Sequence, residues 1–278
     1  MTHVQYTPHP LLQPYIASLW TAERTFAPPH SQLDILPDSY IELVFTSGGR
    51  FFLGQRQLPP YFVLGLLDQP VQLQGQGTII TVAARFFAWG FAALLGRSPA
   101  TAIHPPIGDD WVTIAAQIAQ LAPHNPAAAS AALHEVLLTR ALALDIGAYS
   151  IDQATRQLLA EGLPISSRTL ADRCHLSRRQ AERKFSHTIG ISAKQLERRV
   201  RFQQARDALW RMPASRLAEL ATQLGYADQA HFAREFKAFS GRTPRQFAAE
   251  AHLSREELRR QGVAFLQDMA SLPGYTEP

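Results

Sequence analysis

Leu170-Ala171-Asp172-Arg173-Cys174-His175-Leu176-Ser177-Arg178-Arg179-Gln180-Ala181-Glu182-Arg183-Lys184-Phe185 is matched further along the chain by Leu220-Ala221-Thr222-Gln223-Leu224-Gly225-Tyr226-Ala227-Asp228-Gln229-Ala230-His231-Phe232-Ala233-Arg234-Glu235-Phe236. After four intervening residues each copy reaches a glycine with a similar string: Gly190-Ile191-Ser192-Ala193-Lys194-Gln195-Leu196, then Gly241-Arg242-Thr243-Pro244-Arg245-Gln246-Phe247. The offset is 50 residues at the start and 51 after the turn, where the second copy carries one extra residue. An offset sustained over a whole unit marks a repeat, one supersecondary element used twice.

Each copy reads as helix, tight turn, helix, glycine stop. Leu170-Ala171 and Leu220-Ala221 open short amphipathic helices in which a small alanine permits close helix approach. Ser177 and Asp228 are N-cap residues for the second helix, because their side chains accept from its first free backbone N–H groups. Gly190 and Gly241 suit a left-handed C-terminal stop, and Ser192 and Thr243 cap the helix after it. A second helix presented on a short turn is the helix-turn-helix device, in which that helix enters the major groove.

A long helix is predicted between the copies, from about Ala193 to Arg211, ended by Met212-Pro213 because proline cannot continue it. Nineteen residues at ~1.5 Å each span roughly 28 Å. That is close to the ~34 Å between successive major-groove faces on one side of a duplex. One chain can therefore set two recognition helices in adjacent grooves.

Charge points the same way. The chain carries a net +4, but residues 1–150 hold 6 Lys+Arg against 9 Asp+Glu, while residues 151–260 hold 21 against 12. A basic block of that size favours a polyanionic partner, since neutralised phosphates release counterions. A solvated helical surface, a plain bundle and a protein-binding helix-turn-helix stand as the alternatives.

Residues 150–250 resemble the DNA-binding domain of the AraC/XylS-type regulators, two helix-turn-helix units joined by one long helix. The resemblance rests on Leu170-Ala171, Ser177, Arg183-Lys184-Phe185, Gly190-Ile191-Ser192, Arg201-Phe202 with Ala205 and Leu209, Leu220-Ala221 and Gly225-Tyr226. Its most specific part is Phe232-x-Arg234-x-Phe236-Lys237 to Gly241-x-Thr243-Pro244-x-x-Phe247. The sequence departs from the pattern at Ala193, where proline is frequent, and at Ala181, where a larger apolar residue is usual. Arg179 and Glu182 make the first recognition helix unusually charged.

The resemblance implies base contacts from the outward face of each second helix: Arg179, Glu182 and Arg183 in the first unit, Gln229, Ala230, His231 and Arg234 in the second. The chemistry agrees, because Arg pairs with guanine, Gln with adenine, and Glu accepts from cytosine. Ser177, Arg178, Lys194, Thr243 and Arg245 are candidates for phosphate contacts, which position without specifying. Arg183 or Arg234 has an alternative role as an internal ion-pair partner, for example to Asp172 or Glu219. The implied partner is double-stranded DNA, with a small-molecule effector and a homodimer as further candidates.

Outside the repeat the fold class is α+β, with a small β-rich barrel or sandwich and helices preceding an all-α C-terminal half. The expected divisions are a β-rich sensing domain (1–106), a helical connector that packs on the sheet or forms a dimer seam (107–147), the tandem helix-turn-helix domain (150–250) and a helical tail (251–278). Tyr40–Phe45 and Phe51–Leu53 flank Ser47-Gly48-Gly49, a hairpin signal. Gly75-Gln76-Gly77 is read as a turn into the β-branched run Thr78–Val82. Asp109 is an expected N-cap for a helix carrying Trp111, Ile114, Ile118 and Leu121, and an Ala/Leu-rich helix follows over about 127–145. Trp20, Phe45, Phe52, Phe62, Phe86 and Trp89 are candidates for a ligand pocket or for plain core.

A cytoplasmic protein is expected: the start, Met1-Thr2-His3-Val4-Gln5, lacks the layout of a signal peptide, and Thr78–Leu95 reads as buried strand and helix rather than a membrane span. Cys174 is the only cysteine, which excludes a disulfide framework and, by its place inside the repeat, an alkyl-acceptor role. His9, His30, His104, His124 and His134 show no metal-ligand spacing, and no phosphate loop or nucleophile elbow occurs, so no cofactor or metal is expected. The rival class is a metal- or ligand-sensing β-domain with enzymatic activity, fused to a DNA-binding module.

Overall fold

The structure, a computed structural model, describes residues 2–28, 31–96, 103–104, 110–144, 151–161, 164–212 and 216–261. Strands come first: β1 (Thr2–Tyr6), β2 (Ile16–Phe26), β3 (Gln32–Ile35), β4 (Tyr40–Leu53), β5 (Arg56–Gln57), β6 (Tyr61–Leu64), β7 (Val71–Phe87) and, after helix α1 (Ala88–Leu95), β8 (Ile103–His104). They form one antiparallel sheet in the order β1-β2-β7-β4-β6-β8, with β3 on β7 and β5 on β4.

Successive side chains of a strand face opposite sides, and here both sides are apolar. Ile41, Leu43 and Phe45 of β4 face a core shared with helices, together with Val82, Ala84 and Phe86 of β7. Val44 and Ala83 face a second core with Phe26, Phe62, Leu73 and Ile79, which contains no helical residue. The sheet therefore curls over its own inner face, the barrel-like arrangement expected for short strands of this composition.

Two turn assignments are corrected. Ser47-Gly48-Gly49 does not reverse the chain: β4 runs through it, paired with β7 on both sides, and the register slips between Gly48 and Arg50. Gly48 has φ +81°, and a Cβ at Gly49 would collide with the Gln76 carbonyl oxygen. The glycines make a bulge, which bends and twists a strand without ending it. Gly75-Gln76-Gly77 likewise lies inside β7, facing the bulge. Turn and bulge use the same residues, and pairing along the whole of β4 and β7 selects the bulge.

Helices α2 (Asp110–Leu121) and α3 (Pro126–Leu142) follow, with Trp111, Ile114 and Ile118 buried as their spacing predicts. Asn125 caps α3 by accepting from the Ala128 N–H at 3.0 Å, and Pro126 sits in its first turn. Leu133 and Leu137 are wholly buried where α3 packs on β2 and β7, so the apolar face of α3 lies in this chain's own core. Thr78–Leu95 is the end of β7 plus α1, and no helix among the described residues is long and apolar enough to cross a membrane. The caps and breaks expected at Asp109, Pro105-Pro106 and Pro213, the linker at 147–150 and the tail beyond residue 261 lie outside the described residues.

The last helices are α4 (Ile151–Ala160), α5 (Ser167–Cys174), α6 (Arg178–Ile189), α7 (Ala193–Arg211), α8 (Leu217–Gln223), α9 (Gln229–Ser240) and α10 (Pro244–Gln261). The helix-side core of the sheet continues through Leu158, Leu170, Phe185 and Ile189 to Leu196 on α7. A separate core holds Phe202, Ala205 and Leu209 of α7 with Phe232, Phe236 and Phe247. One helix thus belongs to two cores, and each core contains one repeat.

Candidate nucleic-acid interface

The repeat folds twice in the same way. In the first copy the turn passes through His175 at φ 52°, and Leu176 N–H donates to the Ala171 carbonyl at 3.0 Å. In the second, Gly225 takes φ 72°, and Tyr226 N–H donates to the Ala221 carbonyl at 2.9 Å. The extra residue is Ala227, placed between that bond and the Asp228 cap. Both second helices end on a left-handed glycine, Gly190 at φ 82° and Gly241 at φ 73°. Phe185 and Phe236 are wholly buried at equivalent positions, as are Ala181 and Phe232, the smaller residue standing in the first copy.

With those side chains inward, the opposite face of each second helix is exposed. Arg179, Glu182 and Arg183 on α6 are exposed, as are Gln229, Ala230 and Arg234 on α9. His231 is half-buried, its ring edge-on to Tyr226 with centroids 5.4 Å apart. Among the described residues neither Arg183 nor Arg234 forms a salt bridge; Glu219 pairs with Arg216 instead, at 3.0 Å. Arg178, Lys194 and Arg245 are exposed near the starts of α6, α7 and α10.

Ser177 and Thr243 are engaged differently from simple phosphate donors. The Ser177 hydroxyl accepts from Gln180 N–H at 3.3 Å and donates to Gln180 Oε1 at 2.8 Å. Thr243 does the same with Gln246, at 3.3 and 2.9 Å. These are reciprocal capping boxes, so both hydroxyls have their hydrogen bonds made inside the protein. A serine or threonine at a helix start has a cap to satisfy before it has a ligand.

The second unit is tied to α7 by a cluster absent from the sequence reading. Glu235, beside Arg234 but facing inward, accepts from Arg198 Nε at 2.7 Å, with Arg201 at 3.6 Å. The Arg201 guanidinium lies over the Tyr226 ring, 4.9 Å from its centroid, and Arg198 over Phe239 at 5.3 Å. Burial, reinforced by the nearby Glu235 carboxylate, pushes the Tyr226 phenol up. The orientation of α9 is thereby fixed by charge as well as by apolar packing.

The β half also holds α7. Arg199, 1% exposed, donates to the Leu66 and Leu67 carbonyls and to the Asp68 carboxylate, all in the segment after β6. Gln203 Oε1 accepts from Ser39 Oγ at 2.7 Å and from Ser39 N–H at 3.2 Å. Arg198-Arg199-Val200-Arg201 looks like a basic run, but Leu196, Arg199 and Phe202 recur every three residues. That spacing was the available signal that Arg199 points inward.

A family model for a helix-turn-helix domain matches residues 170–250, the stretch that folds as the two units and α7. Residues 170–250 are therefore a helix-turn-helix domain. A second family model, for a domain of unknown function (DUF6597), matches residues 4–105 of the chain. No curated protein matches its sequence. Among solved structures, ToxT from Vibrio cholerae is 8% identical with a TM-score of 0.45, covering 82% of this chain and 98% of that one. CdpR from Pseudomonas aeruginosa is 18% identical with a TM-score of 0.32, covering 63% of this chain and 46% of that one. The AraC-like activator CuxR is 12% identical with a TM-score of 0.26, over 67% and 76%.

The six aromatic pocket candidates do not converge on one site. Phe45, Phe86 and Trp89 lie in the helix-side core, Trp20 and Phe62 in or against the inner core, and Phe52 is only half-buried. Strand alternation is the reason: neighbouring positions on β4 and β7 face opposite ways. None of the six lines the groove between β1, β2 and the α2–α3 turn, where Val4, Tyr6, Thr21 and His124 gather. Polar groups inside the curled sheet do converge. Glu42 accepts from Trp20 Nε1 at 3.1 Å and Arg85 Nε at 3.0 Å, and Arg85 Nη2 reaches Asp38 at 2.9 Å. Burial alone would lower the Arg85 value, but Glu42 and Asp38 hold it above the usual arginine range. Among the described residues no three His, Cys, Asp or Glu side chains come together as a metal site.

Proposed function

We propose that this chain is an AraC-type transcription regulator that binds specific double-stranded DNA in the cytoplasm by placing α6 and α9 in successive major grooves. Arg179, Glu182 and Arg183 read bases in one groove; Gln229, Ala230, His231 and Arg234 read them in the next. Arg178, Lys194 and Arg245 hold phosphates, with the backbone around Ser177 and Thr243 beside them. One observation carries this reading: two equivalent helices each bury an aromatic face and expose a polar, base-competent face, and both hang on one helix of 19 residues. The 19 residues give a spacing of roughly 28 Å, near one duplex turn of ~34 Å.

The β half, residues 1–106 with the helices after it, acts in this reading as the sensing part. Support comes from the Trp20–Glu42–Arg85 cluster, charged groups placed inside an otherwise apolar sheet, where a small molecule with hydrogen-bonding groups finds partners. The test of the DNA reading is selection of bound duplexes from a random pool using the whole chain. An enriched pair of motifs about one helical turn apart is expected. Enrichment of a single short motif, or none, would sink it.

A further inference from the structure

Two ion pairs join the halves in the same sense, with the acid on the β half and the arginine on the helical half. Asp68 meets Arg199, and Asp34 on β3 accepts from Arg242 Nη2 at 3.1 Å. Asp34 is steadied on its other oxygen by Gln72 Nε2 of β7, at 2.9 Å. Around this pair the halves pack closely: Leu36 enters the core of the second unit, and Pro70 faces Gly241. Yet the pair is within reach of solvent, Arg242 being 35% and Asp34 41% exposed at the side chain.

Arg242 sits in the basic half, one residue before Thr243 and three before Arg245, on the unit that carries α9. Its guanidinium also pairs through Nε with Glu250 of its own half, at 2.9 Å. A guanidinium forks onto phosphate with the same geometry it uses for carboxylate. We propose that Arg242 is a phosphate contact held in reserve by Asp34, so that the β half competes with DNA for this arginine. Docking of the β half and binding of DNA then oppose each other here, and a signal that loosens the contact raises affinity. The proposal rests on the DNA-binding reading above.

The experiment uses the whole chain as wild type, Asp34→Asn, Arg242→Ala and the double variant. Binding to a labelled mixed-sequence duplex of roughly 30 base pairs, long enough for two grooves, is followed by anisotropy over a salt series. Asp34→Asn is expected to bind about two- to fivefold tighter at low salt, with a log–log salt slope steeper by about one. Arg242→Ala alone stays within about twofold of wild type, because its charge is already neutralised. The double variant matches Arg242→Ala. No change or a loss in Asp34→Asn overturns the proposal, and so does a gain that persists without Arg242, which would be general charge repulsion. A wild-type chain that binds no duplex overturns the DNA reading and this proposal together; binding with a flat Asp34→Asn response overturns this one alone.

Discussion

Arg183 and Arg234 stand at equivalent repeat positions, exposed and without a salt bridge among the described residues. A base contact and a phosphate contact by such a residue differ in what substitution does. Arg183→Ala or Arg234→Ala is expected to cost about 1–3 kcal/mol on the selected sequence and to relax preference at one base position. Equal weakening on all sequences, with a shallower salt slope, would move the residue to the phosphate set. Ser177 behaves otherwise, because its hydroxyl closes a capping box. Ser177→Ala should lower unfolding stability by about 0.5–2 kcal/mol while leaving the salt slope of DNA binding unchanged. A changed slope with unchanged stability would restore Ser177 as a phosphate ligand. Single residues are where sequence reasoning was weakest: Arg199 and Glu235 are charged, and only their periodic spacing told against exposure.

At the scale of elements, the repeat was legible because its signals are local. Caps, glycine stops and the length of α7 follow from short-range chemistry, and the structure places each within a residue or so of its expected position. The strands were less legible. Gly48-Gly49 and Gly75–Gly77 satisfy the rules for a turn and for a bulge alike, and only pairing between β4 and β7, distant in sequence, decides. The aromatic pocket failed for a related reason: which strand face a residue occupies depends on register, and the bulge shifts it. The glycine stop can be tested directly. Gly241 has φ +73°, and a Cβ there would find nothing nearer than Pro70 at 3.9 Å. Gly241→Ala should therefore cost about 1 kcal/mol, from backbone conformation and not from a clash. Chemical denaturation that shows several kcal/mol would reveal a tighter contact with the β half.

For the molecule as a whole, one core runs from the sheet through α1–α3 into the first helix-turn-helix unit. Those parts are expected to unfold together. Leu170, wholly buried on α5, reports on this: Leu170→Ala should cost about 2–5 kcal/mol and shift the fluorescence transition of Trp89 and Trp111, which lie in the sheet's helix-side core. A shift in helical signal without a shift in fluorescence would show that the halves melt separately. Alkali tests the same packing. Burial raises the Tyr40 phenol to about 12 from its ordinary 10. Between those values the folded chain keeps a proton that the unfolded chain has lost, so stability falls as pH rises from about 10 to about 12 and then levels. Tyr226, raised in the same direction, contributes to the same decline. The urea midpoint should drop across this range, and drop less in Tyr40→Phe; identical profiles would argue against the phenol.

The sharing of α7 between two cores bears on how the proposed DNA reader can change its target. Leu196 is locked into one core and Phe202 into the other, with Arg199 gripped between them. One residue inserted in that stretch would rotate everything after it by ~100° about the helix axis, which in the proposed complex would carry α9 out of its groove. Only additions near whole turns, three or four residues, would preserve the present relation of α9 to α6. Operators with altered half-site separation would then be reached in jumps of about 5 Å, never by gradual drift.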